Sequence, residues 1–225
     1  MVFSDRRGGV SRGPYESLNL GILTDDDRQS VSQNRRRLAE RASCDPERVA
    51  MGWQVHGDEI LEWHEPPSNG GFAHAGADLP KVDGHTTTVR NVPLLVLVAD
   101  CLPVALVGPG RVAMLHCGWR GLAAGIVEKG VALFHEPPRA VLGPCIGACC
   151  YEVGEEVLAE FTDLQGVANG RMLSLSLVAQ QKLLNRGVTK IDSFPLCTSC
   201  RPELFYSHRR DDGTTGRQAG MVWLT

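Results

Sequence analysis

Long apolar runs are missing from this sequence. No segment approaches the roughly 18 uninterrupted apolar residues of a membrane-crossing helix, which excludes a helical span. The opening Met1-Val2-Phe3-Ser4-Asp5-Arg6-Arg7 has no apolar stretch of the secretory kind, so the chain is expected in the cytoplasm. Charge of one sign is also scarce. The formal net charge is −3, and without a basic stripe there is no footprint for nucleic acid or an anionic membrane surface. Internal repeats, low-complexity tracts and linkers are absent as well. Small-molecule chemistry is the class of function that survives these exclusions.

What is present suits one domain over residues 1–225. A chain of 225 residues with 43% apolar content can bury a substantial core without staples. Its eight cysteines are Cys44, Cys101, Cys117, Cys145, Cys149, Cys150, Cys197 and Cys200. In a reducing compartment they are expected as thiols, which favours burial, metal binding or catalysis over a disulfide framework.

The order of elements reads as mixed α/β. Residues 4–15 are rich in turn formers and predict a strand end and loop. Residues 25–42 carry Val31, Asn34, Leu38 and Ala39 at near-helical spacing after an aspartate-rich start, which predicts a helix. Short strands are expected at 51–55 and 59–63, with a loop at 66–71. The apolar stretches 93–99, 103–107 and 111–115, the last two joined by Gly108-Pro109-Gly110, predict the centre of a sheet covered on both faces. A helix is expected over 119–134, a strand at 140–142, helices at about 154–161 and 174–185, and strands near 204–207 and 219–224.

Three residues that suit a metal fall at predicted strand ends. Cys101 closes the long apolar strand, His116 ends the strand across the turn from it, and His56 precedes Gly57. Two histidines and one cysteine with an open fourth position are what catalytic zinc uses. The spacing is non-local, however, and spacing alone leaves hydrogen-bonded histidines and a buried thiol as the commoner outcome. Cys117-Gly118-Trp119-Arg120-Gly121 leads into the apolar helix, which suits an anion held by free amides and Arg120, or equally a tight turn. Cys145 follows the 140–142 strand and would line the same rim if that strand runs parallel to its neighbours. Cys145 and Cys149 with Cys197 and Cys200 form an alternative, closed zinc set, although the first pair lacks the usual C-x2-C spacing. The two or three guanidiniums of Ser207-His208-Arg209-Arg210-Asp211 and Gly216-Arg217 suit a phosphate or equally a solvated turn. Asp83, before Gly84, is a general base, a ribose acceptor or simply a turn residue.

Read in order, the motifs resemble one family. They are Arg7-Gly8-Gly9-Val10, Ser17-Leu18-Asn19-Leu20-Gly21, Asn34-Arg35-Arg36, Gln54-Val55-His56-Gly57, Asp83-Gly84, Ala99-Asp100-Cys101-Leu102-Pro103-Val104, His116 through Gly121, Gly143-Pro144-Cys145-Ile146-Gly147 with Cys150 through Gly154, and Ser207 through Asp211 with Thr215-Gly216-Arg217. Together they span nearly the whole chain, and they are similar to those of the laccase-domain family, described as polyphenol oxidase and as purine nucleoside phosphorylase. The resemblance implies a layered α-β-β-α fold with a mixed sheet, related to cysteine-dependent toxin hydrolases, in a monomer. It implies Zn2+ on His56, Cys101 and His116, and catalysis by these residues with Asp83 as a proton carrier. Substrate is expected against Arg7, Asn19, Arg120, Cys145 and Arg209. Cys117 and Ala148 depart from the family's usual Ala and Pro, and a thiol beside His116 is expected to alter metal affinity or oxidation sensitivity.

The activity so implied is phosphorolysis of adenosine, inosine, guanosine and methylthioadenosine, with phosphate as co-substrate, together with adenosine deamination by zinc-activated water. A copper polyphenol oxidase is the older alternative. A multicopper laccase uses about ten histidines, whereas this chain has seven and no His-x-His pair, though copper at the zinc site remains open. A third reading makes Cys101 and His116 the nucleophile and base of an amide hydrolase acting on cell-wall precursors. A fourth is a non-enzymatic protein stabilised by its metal.

Overall fold

The computed structural model describes residues 1–68, 70–74 and 78–225; of the expected 66–71 loop, Asn69 lies outside the described residues. In chain order the strands are β1 (Val2–Phe3), β2 (Ile60–Trp63), β3 (Gly84–Thr87), β4 (Leu94–Val98), β5 (Leu102–Gly108), β6 (Arg111–Cys117), β7 (Arg139–Leu142), β8 (Ala168–Asn169), β9 (Met172–Leu173), β10 (Ile191–Ser193) and β11 (Gln218–Val222). The helices are α1 (Arg28–Arg41), α2 (Trp119–Ala124), α3 (Ile126–Ala132), α4 (Glu155–Leu158) and α5 (Leu175–Asn185). No helix among the described residues is long and apolar enough to cross a membrane.

The strands form a three-stranded sheet, β1-β11-β4, a six-stranded sheet, β10-β7-β5-β6-β3-β2, and the small pair β8-β9. The larger sheet is mixed: β10 with β7 and β2 with β3 are parallel, while β3 with β6, β5 with β6 and β5 with β7 are antiparallel. Side chains alternate across a strand, and β4 shows the consequence. Leu94, Val96 and Val98 pack with Ala105, Met114, Val141 and Val222 between the two sheets. Leu95, from the opposite face, packs with Leu38 of α1 and with Ala219 and Met221. On the far side of the larger sheet, Val104, Leu106 and Leu115 pack with Leu122, Val127 and Val178 of α2, α3 and α5. The layers are therefore helix, sheet, sheet, helix, in a mixed α/β domain.

Four expectations need correction. The three apolar stretches do not share one sheet: β4 pairs with β11, and residues 99–101 carry the chain from the smaller sheet to the larger. Residues 51–55 and 204–207 form no strands. In each place a glutamine amide takes over the ladder's work. Gln54 accepts from Leu97 N and donates to Leu97 O, each at 2.8 Å. Gln218 accepts from Tyr206 N at 2.9 Å and donates to Tyr206 O at 3.1 Å. The helix expected over 119–134 is two helices, because Gly125 takes a left-handed φ of 96° that ends α2 and begins α3.

Candidate metal centre

The two sheets meet where the chain crosses from β4 to β5, and this crossing holds Cys101. The β5–β6 register pairs Leu102 with Cys117 and Pro103 with His116, so the hairpin sets His116 beside the crossing. The loop before β2 supplies His56 from a third direction. One nitrogen from each imidazole and Cys101 Sγ all lie within 4.8 Å of one another. The two rings stand edge to face with centroids 4.9 Å apart. Gly118 makes this approach possible, since a Cβ there would stand 3.1 Å from His56 Cδ2 and 3.3 Å from Cys101 Sγ.

Both loop ligands depend on strained backbone held by an aspartate. His56 has φ 62° and Asp100, next to Cys101, has φ 91°, a region that L-residues enter only when their surroundings enforce it. Asp83 enforces the first. It is fully buried and accepts the amides of Val55, His56 and Gly57 at 2.8–3.0 Å. The same carboxylate accepts Nδ1–H of His116 at 2.8 Å, which turns Nε2 of that ring towards the cluster. Asp100 does the equivalent work across the cleft. Its oxygens accept Thr198 Oγ1 at 2.6 Å, Ser207 Oγ at 3.0 Å and Arg209 N at 2.7 Å.

The cluster has the electrostatics of a thiolate site. Burial alone would push the Cys101 thiol up, but the charge of His116 and hydrogen bonds from His116 and His56 outweigh it and bring the pKa to about 6. Burial alone would push His116 down, yet the Cys101 thiolate and the Asp83 carboxylate raise it to about 9. Burial also opposes the charge on Asp83, which the His116 and amide hydrogen bonds nonetheless hold below its ordinary value. A thiolate and two imidazoles, gathered by a second shell that orients one of the rings, fit a borderline-soft divalent ion with room for a further ligand.

The cluster lines a cleft of about 760 Å³, a size suited to a small organic ligand. Met51, Leu79, Leu97 and Val98 give the cleft an apolar side, and Arg28, Arg120, Arg209 and Arg217 bring guanidiniums to it. Arg120 stacks on Trp119 and Arg209 on Tyr151.

Of the residues expected to touch substrate, Arg120 and Arg209 border the cleft. Three others do not. Arg7 follows its neighbours outward and bonds Asp5 at 2.9 Å, exposed to solvent. Asn19 is buried and acts on the main chain, its Oδ1 accepting Gly21 N at 2.9 Å and Arg217 N at 2.8 Å, so it places two cleft residues without lining the cleft itself. Cys145 is buried, bridged backbone to backbone with Cys197, and does not line the cleft. Although β7 is parallel to β10 and antiparallel to β5, its end does reach the rim beside the start of β5, where Ile146 N donates to Asp100 O at 2.9 Å; Cys145 misses the cleft because its side chain packs into the core. Asp83, expected to carry protons to substrate, sits behind His116 with its oxygens taken by hydrogen bonds. Cys117 does not join the cluster either: it points to the opposite face of β6 and packs with Leu102 and Leu122.

Arg217, expected with Arg209 and Arg210 to offer guanidiniums to a phosphate, borders the cleft, as do Tyr151, Trp53 and His208, for which no role was expected. Tyr151 follows the cysteine pair 149–150, and Arg217 ends the Thr215-Gly216-Arg217 motif. Those motifs were the signal available for them. Asp100 had one signal in the sequence, its place directly before the candidate ligand Cys101.

A mixed α/β fold with two packed sheets and a His-Cys-His cluster at their junction defines the class of protein. Residues 1–225 match the family described as "Multi-copper polyphenol oxidoreductase laccase", and the chain belongs to that family. Among its relatives, "Purine nucleoside phosphorylase YlmD" of Geobacillus stearothermophilus is 37% identical over 238 residues, covering 96% of this chain and 87% of that protein. "Purine nucleoside phosphorylase YfiH" of Escherichia coli is 37% identical over 234 residues, covering 98% and 92%. The fold is similar to the crystal structure of YlmD from Geobacillus stearothermophilus, with TM-score 0.91, 36% identity and coverage of 98% and 90%. It is also similar to that of Bacillus licheniformis hypothetical protein YfiH, with TM-score 0.92, 33% identity and coverage of 99% and 91%. The names of these relatives support an enzymatic reading.

Proposed function

We propose that this chain is a zinc-dependent purine nucleoside phosphorylase that also deaminates adenosine. The observation that carries the proposal is the convergence of His56, Cys101 and His116 in the lining of a cleft that apolar residues and several arginines also line. The names of the relatives favour purine nucleosides as substrates. Adenosine, inosine, guanosine and methylthioadenosine are the substrates to test.

In phosphorolysis, a phosphate oxygen bonds to the anomeric carbon of the nucleoside as the bond to the purine nitrogen breaks. The purine keeps that bond's electron pair and takes the proton brought by hydrogen phosphate, leaving free base and ribose 1-phosphate. Met51, Leu79, Leu97 and Val98 offer the base an apolar seat. Arg120 and Arg209 hold phosphate, Arg209 being fixed through its amide to Asp100 and through Nη1 to Glu152 O at 2.8 Å. Asp83 positions His116 and the His56 turn. His56, Cys101 and His116 would hold the ion, which would supply Lewis-acid chemistry when bound. Deamination consumes water and releases inosine and ammonia from the same cleft. Seven histidines without a His-x-His pair do not make a multicopper centre, which favours this reading over a laccase. The proposal takes residues 1–225 as one domain working as a cytoplasmic monomer.

The experiment is to incubate the protein with each nucleoside, with and without phosphate and a chelator, and to separate products by chromatography. Phosphate-dependent ribose 1-phosphate, lost with the chelator and restored by zinc, supports the proposal. Phosphorolysis that survives complete metal removal overturns the zinc dependence.

The low pKa of Cys101 beside His116 favours one second reading, a Cys-His amide hydrolase in the metal-free chain. This is the chemistry that kinship with cysteine-dependent toxin hydrolases would bring. Covalent capture of Cys101 by an electrophilic amide analogue, with turnover of the parent amide, is its test.

A further inference from the structure

Four thiols have no part in the cleft chemistry. Cys149 and Cys150 lie in the turns after β7, and Cys197 and Cys200 in the turns after β10. Their four Sγ atoms all lie within 4.8 Å of one another. Cys200 Sγ is 3.5 Å from Cys149 Sγ and 3.3 Å from Cys150 Sγ. Thiolates at about 2.3 Å from one tetrahedral ion would be separated by roughly 3.8 Å, so the observed spacing matches a single-ion cage.

The backbone around the thiols is arranged as it is around ligand sulfurs. Gly147 N donates to Cys197 Sγ at 3.2 Å. Thr198 N donates to Cys145 O at 3.0 Å, which brings the two turns side by side. Cys145, the member of the closed set considered from the sequence, is committed to this backbone pairing and buried in the core. Cys150 stands in its place.

We propose that Cys149, Cys150, Cys197 and Cys200 form a closed structural zinc site, separate from the His56–Cys101–His116 centre. Four sulfur donors leave no open position, which makes the site a clamp and not a second reaction centre. Sulfur donors select zinc over oxygen-seeking magnesium or calcium. The ligands bind as thiolates, so loading the site releases the protons of whichever thiols are still protonated. The clamp would join the turn leading to Tyr151, which borders the cleft, to the turn carrying Thr198, which hydrogen-bonds Asp100 beside Cys101. Arg210 Nη1 donates to the carbonyls of Thr198 at 2.9 Å and Ser199 at 3.3 Å while its charge pairs with Asp211, so it braces the second cysteine turn.

The test is elemental zinc analysis of reduced, full-length protein, paired with cobalt spectroscopy. His56→Ala removes a ligand of the first centre only. That variant is expected to retain about one zinc per chain, and its cobalt-substituted form is expected to show intense thiolate-to-cobalt absorption with tetrahedral bands. Adding Cys197→Ser and Cys200→Ser is expected to abolish both signals. If that triple variant does not fold, the His56→Ala readings decide alone. His56→Ala protein that binds no zinc and gives no such cobalt spectrum overturns the proposal. An intact mass of freshly purified protein lighter by two hydrogens for each disulfide among these four cysteines also overturns it.

Discussion

Asp83 Oδ1 accepts the Nδ1–H of His116 at 2.8 Å while the same carboxylate accepts the amide of His56, so one buried side chain orients two of the three candidate ligands. Replacing Asp83 with Asn keeps the volume but gives up part of this acceptor set. Metal affinity is expected to fall roughly 10- to 100-fold, the usual effect of losing such a partner. Competition against a chromophoric chelator measures it. Unchanged affinity would mean that the imidazole holds its orientation without the carboxylate.

Gly118 separates effects on the metal from effects on the fold. Its φ of −76° is open to alanine, but the added Cβ would press on His56 Cδ2 and Cys101 Sγ. Gly118→Ala is therefore expected to change unfolding free energy by no more than about 1 kcal/mol while reducing metal affinity by roughly tenfold or more. Urea unfolding of metal-free protein and a metal titration, run side by side, check the pair of outcomes.

His85 predicts an acid limb in stability. Burial pushes its pKa down to about 4, against the opposing charge of Asp83, and its Nδ1 accepts Trp63 Nε1–H at 3.1 Å. Above pH 6.5 the ring is neutral in both folded and unfolded chains, so it contributes no pH dependence. Between 6.5 and about 4 only the unfolded chain takes up the proton, so stability falls as pH falls, by about 3 kcal/mol at most. His85→Gln should flatten this part of the urea-midpoint profile relative to the parent protein. Parallel profiles in the two proteins would contradict it.

Arg35 is a cation used as structure. It is buried, its Nε donates to Leu20 O at 2.9 Å and its Nη1 to Phe72 O at 3.0 Å, and it lies over the Phe72 ring. Burial lowers its pKa only to about 10, so it remains charged. Arg35→Ala leaves these carbonyls without a donor and opens a hole, and should destabilise the protein by about 3 kcal/mol or more. Arg35→Lys should rescue little, because one ammonium does not reproduce a planar fork. Chemical unfolding of both variants tests this.

Much of the fold was legible because side-chain periodicity is a local property. Val31, Leu38 and Ala39 marked α1, and the apolar runs with their Gly-containing turn marked β4, β5 and β6. Pairing was not legible. Whether β4 lies beside β5 or β11 depends on which surfaces meet in space, and an apolar strand buried on both faces reads the same in either sheet. The two glutamines that stand in for strand ladders were equally hidden, because a side-chain amide bonding distant backbone leaves no periodic trace.

The sequence by itself determined the kinds of atoms available: two imidazoles and a thiol at strand ends, a C-x2-C turn, and many arginines. Motif order supplied the family, since that order does not depend on folding geometry. Tertiary structure alone decided which of these atoms meet. It drew His56, Cys101 and His116 together, sent Arg7 to solvent, put Asp83 behind a ring, and exchanged Cys145 for Cys150 in the thiol cluster. The reason is physical. Contacts between residues dozens of positions apart are set by sheet register and loop crossings, and a shift of one residue turns a side chain from the site to the opposite face.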